Sequence, residues 1–141
     1  ISKNGKVLNT IEEARQYPSL ILPSKAKLLI SVGSGMDSGK TTSAAYLIHG
    51  IKKAQKRVAY VKLTGTAYSK DKQLAADMGA NTALDFSDLG YPSTFMVDLP
   101  ELRELYIGLM AKAAVVQPDY IVIEIADGLL QRETNLLLRD P

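Results

Sequence analysis

Ten consecutive residues, Gly33-Ser34-Gly35-Met36-Asp37-Ser38-Gly39-Lys40-Thr41-Thr42, combine the residue types needed to hold a phosphate. Glycines at 33, 35 and 39 let the backbone curl until several N–H groups face one anion. Lys40 adds a mobile positive charge, and Thr41 offers a hydroxyl where a phosphate-bound Mg²⁺ would sit. In the strict form of this pattern a glycine stands five residues before Gly39, where this chain has Ser34 between two glycines. Either Ser34 adopts a conformation usually left to glycine, or the loop is one residue longer. The same glycines also fit a GxGxxxG dinucleotide loop, in which Lys40 and Thr41 have no task and Lys62 would meet a 2′-phosphate. An ordinary Gly/Ser turn between a strand and a helix is the bland alternative.

The loop needs a strand before it and a helix after it, and the sequence supplies both. Lys27-Leu28-Leu29-Ile30-Ser31-Val32 reads as a buried strand, and Lys40 to Gln55 as a helix burying Ala44, Leu47, Ile48, Ile51 and Ala54 along one face. Strand, glycine loop, Gly-Lys-Thr and helix is the context in which such a loop becomes the P-loop (Walker A) of an ATP-binding protein. Further on, Arg57–Leu63 predicts a second strand and Asp71 opens a helix to about Met78. Thr82–Phe86 is a third strand candidate, Leu99–Val116 a strong helix, and Tyr120–Ile125 a nearly all-apolar strand. Alternating strands and helices of these lengths imply an α/β fold: a three-layer, mostly parallel sheet with helices on both faces.

Right-handed crossovers in such a sheet place every strand's C-terminal end along one edge. The polar residues fall there: Lys62 ends the second strand, Asp85 lies near the end of the third, and Glu124 and Asp127 end the last. Glu124 stands out, because a carboxylate inside an apolar strand is costly to bury unless it is paired or faces a metal. A strand-end acid beside a phosphate loop can hold the shell of Mg²⁺.

Composition sets the outer limits. At 141 residues, 46% hydrophobic and 23% charged, the chain describes one globular domain. A net charge of +2 gives no argument for nucleic acid, and Lys52, Lys53, Lys56 and Arg57 sit where cations complement a helix end. There is no cysteine, no apolar run long enough for a membrane span and no visible signal peptide, which fits a cytoplasmic protein. Residues 1–26 read as an N-terminal extension or linker, with a capping box at Thr10 and Glu13 starting a short helix Ile11–Tyr17 and an apolar segment at Leu20-Ile21-Leu22. Residues 27–141 read as the nucleotide-binding domain. A start at Ile1 and an end just after an apolar, helix-like stretch suggest part of a longer protein.

The loop resembles that of dethiobiotin synthetases, Gly-Thr-Asp-x-Glu-x-Gly-Lys-Thr, which carries the same one-residue-longer spacing. Lys62 in Val61-Lys62-Leu63 matches that family's second-strand Lys, and Glu124-Ile125-Ala126-Asp127-Gly128-Leu129-Leu130 resembles its Val-Glu-Gly-Ala-Gly-Gly-Leu strand end. The Thr-Gly-Thr, Leu-Asp-Phe-Ser-Asp-Leu-Gly-Tyr-Pro-Ser-Thr and Glu-Ile-Ala-Asp-Gly-Leu-Leu-Gln-Arg-Glu-Thr runs look closer to DUF1611-like P-loop proteins of the same superfamily, some of which are associated with N-acylation of amino acids. Gly35 stands where the synthetases have Asp, and Asp127 where they have Gly, so the acceptor chemistry is open.

The resemblance implies roles. Residues 33–42 would bind ATP, with Lys40 at the β- and γ-phosphates. Thr41, Asp71 and Glu124 would surround Mg²⁺. Lys62 and Thr64 would face a small carboxylated acceptor, and Asp37 would help to position the loop or the substrate. Lys40, Lys62 and Asp37 are the catalytic candidates, in a phosphotransferase- or ligase-type reaction needing charge neutralisation and alignment. The related enzymes are dimers, so a homodimer is implied in the same way. Three other readings stay open: a nucleotide-binding regulatory or assembly domain without chemistry, an acyl-CoA-dependent N-acyltransferase, and an NADP-binding Rossmann-type domain.

Overall fold

The computed structural model describes Ser2–Lys3, Lys6–Val7 and residues 25–140. Strands β1 (Ser2–Lys3) and β2 (Lys6–Val7) form a short antiparallel ladder. The rest is an α/β unit in which strands and helices alternate. Its elements are β3 (Lys27–Ser31), α1 (Lys40–Lys53), β4 (Val58–Lys62), α2 (Ser69–Asp77), β5 (Thr82–Asp85), a 3₁₀ turn (Phe86–Leu89), α3 (Leu99–Ala114), β6 (Tyr120–Glu124) and α4 (Arg132–Leu138). The four longer strands pair in the order β3-β6-β4-β5, all parallel. The expected helix Ile11–Tyr17, the segment Leu20–Leu22 and most of the extension 1–26 lie outside the described residues.

Period-two alternation splits the sheet into two faces. Ala59, Val61, Ile121 and Ile123 pack with Phe86, Leu89, Leu102, Leu105, Leu109 and Ala113, so the 3₁₀ turn and α3 cover one side. Val58, Tyr60 and Val122 pack with Ala44, Ile48 and Ala75, so α1 and α2 cover the other. That is a three-layer arrangement, as the alternation of elements predicts. Helix α3 starts where Asp98 accepts a hydrogen bond from the Glu101 N–H at 3.0 Å, with Pro100 in the first turn. It presents Leu102, Leu105, Leu109 and Ala113 to the sheet at helical spacing. Leu109→Ala is expected to cost about 2–5 kcal/mol, read from urea denaturation, because the hole opens in a fully enclosed layer.

Helix α1 departs from its expected stripe. Ala44, Ala45 and Ile48 are buried, whereas Leu47 is 43% exposed and Ala54 is exposed. The reason is lateral. Among the described residues β3 is the outer strand, so nothing in the sheet lies beneath the Leu47 side of the helix. Leu28 and Ile30 on β3 are exposed on the other face, where they flank Ile121 and Ile123 at the outer edge of the sheet. The third strand also stops a residue early. Asp85 turns to cap the 3₁₀ turn, accepting from the Ser87 N–H at 2.8 Å while Asp88 accepts from the Asp85 N–H at 2.8 Å. Among the described residues no helix is long and apolar enough to cross a membrane.

Candidate functional site

Parallel register puts Ser31, Glu124, Lys62 and Asp85 side by side as one row along the carboxyl edge. Parity along the strands then aims Lys62 and Glu124 at the same face as Tyr60 and Val122, the one covered by α1. The N-terminus of α1, with Lys40 and Thr41, begins above that row. Its first turn is tied to the end of β3 by the Ser31 hydroxyl, which donates to the Lys40 carbonyl at 2.9 Å.

Between β3 and α1 the glycine loop closes on itself. A Cβ on Gly33 would lie 2.0 Å from Ser38 Oγ and 3.0 Å from Lys40 Cγ, so a side chain there would displace Ser38 and crowd Lys40. Gly39 holds φ at 84° and Asp37 at 55°, and these two left-handed residues make the bend. Ser34 is not among the positive-φ residues, so a serine at that position needs no special conformation. Lys40 is only 8% exposed, and its Nζ reaches back across the loop to the Gly35 carbonyl at 2.6 Å and Ser38 Oγ at 3.4 Å. From Gly35 to Thr42 no backbone N–H has an acceptor among the described residues. Asp37, Ser38, Gly39, Lys40, Thr41 and Thr42 line a polar cavity of about 240 Å³. A run of free N–H groups with a lysine ammonium across it is a cradle for an anion.

Under the cradle lies the carboxylate. Glu124 is 2% exposed, and each oxygen has a partner: Thr41 Oγ1 donates to Oε1 at 2.8 Å and Tyr60 Oη donates to Oε2 at 2.7 Å. Burial, and then the charge and hydrogen bond of Glu124, push the Tyr60 phenol well above its ordinary range, so it stays a donor. Asp71 stands in the first turn of α2 and is held by Lys62 in an ion pair rather than beside Thr41. The Lys62 ammonium also lies 3.4 Å from the Thr66 carbonyl. Asp85 is occupied by its capping role and by Lys72 at 3.3 Å.

A second polar cavity of about 160 Å³ opens among the loops that follow β4 and β6. Thr64, Gly65, Thr66, Ser93, Thr94, Asp127 and Glu133 are among its walls. The walls are pinned to one another: the Gly65 N–H donates to Thr94 Oγ1 at 2.8 Å, Thr134 Oγ1 to the Ala126 carbonyl at 3.1 Å, and the Met96 N–H to Glu133 Oε1 at 2.8 Å. Met96 and Asp127 near it hold φ at 62° and 65°, a conformation that costs non-glycine residues and gathers where ligands are clamped, and Gly65 supplies a positive φ without that cost. The strand-end loop carrying Asp127 also backs the glycine loop. The Leu129 N–H donates to the Gly33 carbonyl at 3.0 Å, and a Cβ on Gly128 would meet the Ser34 carbonyl oxygen at 2.5 Å.

Sequence reasoning assigned no role to five contributors, Ser31, Tyr60, Gly128 and the α4 pair Glu133 and Thr134, although the last three lie within the 124–134 run. Tyr60 leaves its own trace, a polar tip inside an otherwise apolar stretch. Compared with known proteins, the chain matches no family model and no curated protein sequence.

Proposed function

We propose that the chain binds ATP as its Mg²⁺ complex in the Gly33–Thr42 loop and uses it to phosphorylate or activate a small carboxylated substrate. The observation that carries this reading is the unpartnered N–H run from Gly35 to Thr42, closed by the inward-turned ammonium of Lys40. In a dinucleotide loop Lys40 would have no reason to fold into the cradle; at a triphosphate it exchanges the Gly35 carbonyl for phosphate oxygens.

The donor set suits magnesium. Thr41 and Glu124 are hard oxygen ligands already in contact, and Mg²⁺ commonly takes one or two protein oxygens with substrate phosphates and water completing the shell. Bound there, the ion would spread the charge building on the transferred phosphoryl group. Lys40 would neutralise the β- and γ-phosphates, and Asp37, at the bend, would set the loop. Asp71 would contribute to the metal's outer shell or hold Lys62. Thr64 and Thr66 line the second cavity and the Lys62 ammonium reaches the Thr66 carbonyl at its wall, so the acceptor would sit there with its carboxylate toward the ammonium. ATP-dependent chemistry in a chain without cysteine fits the cytoplasm.

A thermal melt tests the assignment. At about 100 times its dissociation constant MgATP adds about 2.7 kcal/mol, which for a domain of this size is a rise of roughly 10 °C. GTP, NADPH and acetyl-CoA belong in the same plate. A shift by NADPH or acetyl-CoA without one by MgATP overturns the proposal.

A further inference from the structure

The two partners of Glu124 differ in kind. Thr41 lies in the first turn of α1 at the open cradle, and its hydroxyl is the one a phosphate-bound cation would claim. Tyr60 is 1% exposed in mid-strand, its ring packed among Ala44, Ile48, Val58, Ala75 and Val122. A ring so enclosed cannot swing away, and its hydroxyl has Glu124 as its partner. One carboxylate oxygen is therefore held by a fixed donor, and the other by a donor that can leave.

We propose that Tyr60 is a positioning residue which reserves Glu124 Oε2 for the protein and thereby commits Oε1 to the metal side of the cradle. This deepens the Mg²⁺-nucleotide reading and rests on it. Without the phenol hydroxyl the carboxylate is free to rotate and to split its charge between the protein and the cation. The outer partner of a metal ligand typically governs about 10- to 100-fold in metal affinity. Two strands carry the coupling: Tyr60 lies on β4, Glu124 on neighbouring β6, and parallel pairing fixes the offset between them.

The test is Tyr60→Phe, which keeps the ring and deletes the donor. ATP binding is titrated calorimetrically in EDTA and then at graded MgCl₂, for the wild type and the variant. Binding in EDTA is expected to agree within about twofold, while the MgCl₂ concentration giving half of the metal-dependent gain rises about tenfold. A second comparison, Glu124→Gln with and without Tyr60→Phe, removes the buried charge and so tolerates loss of the hydroxyl even where the single variant fails to fold. In that background deleting the hydroxyl is expected to leave the MgCl₂ response unchanged.

An unaltered MgCl₂ response in Tyr60→Phe overturns the proposal, as does an equal loss with and without metal. So does a further shift on adding Tyr60→Phe to Glu124→Gln. A wild type that binds ATP but ignores MgCl₂ removes the role of Tyr60 and leaves the nucleotide site standing; a wild type that binds no ATP removes both.

Discussion

Lys40→Ala is expected to weaken ATP binding at least about 30-fold while the domain stays folded. The Nζ sits in a nearly closed cradle, where a charge-assisted contact to phosphate is worth far more than one in water. Deleting one member of a desolvated charge pair costs about 2–5 kcal/mol in binding, or roughly 30- to several-thousand-fold. The fold loses much less. The side chain's own partners are a single carbonyl and a long contact to Ser38, and the link from Ser31 goes to the Lys40 backbone, which alanine retains. Lys40→Arg is expected to fail as well, because a planar fork does not fit where a compact ammonium does. Calorimetric titration with MgATP, alongside far-UV circular dichroism, checks both halves. Binding within threefold of wild type in a folded Lys40→Ala variant would end the phosphate-loop reading.

The second large effect comes from a residue that never touches the cradle. Gly128 has an ordinary backbone conformation, so its identity is not set by φ. It is set by what lies opposite, the Ser34 carbonyl oxygen at 2.5 Å and Gly35 Cα at 3.0 Å from where a side chain would begin. Both obstacles are backbone, so Gly128→Val must push the glycine loop by about an ångström, a displacement that can cost about 100-fold in a positioned reaction. We expect MgATP affinity to drop at least tenfold and any turnover by about 100-fold, with the melting temperature only modestly lowered. Gly50→Ala makes a good control: it lies on the outer side of α1, has no heavy atom near the added Cβ, and removes a helix-weakening glycine. Full affinity in Gly128→Val would mean that the strand-end loop and the glycine loop are mechanically independent.

How much of this the sequence discloses depends on the range of the interaction. The layer order was legible because strands alternate with helices along the chain and Tyr120–Ile125 is apolar at both parities, as a strand covered on both faces must be. The edge row was legible because parallel strands have only one carboxyl side, which gathers Lys62, Asp85 and Glu124 wherever the strands lie in order. The strand order itself depends on pairing across many residues, and so does the exposure of Leu47 beside an outer β3. The same holds for Gly128. Its meaning lies in a contact with Ser34, nearly a hundred positions earlier in the chain, that no pattern around either residue encodes. The role of Asp85 rests on the opposite kind of signal. A very local signal, Asp followed three residues later by Asp88, turns it into a cap.

Division of the sheet into a face that carries the polar row and a face that is wholly apolar has a practical consequence for anyone altering this molecule. Glu124, Lys62 and Tyr60 hang from the α1 side, whereas the hydrocarbon of Phe86, Leu89, Leu105 and Leu109 lies wholly on the reverse. Ruggedness and chemistry are therefore adjustable by separate hands. Repacking beneath α3 acts on the stability of the scaffold from the face opposite Glu124, Lys62 and Tyr60.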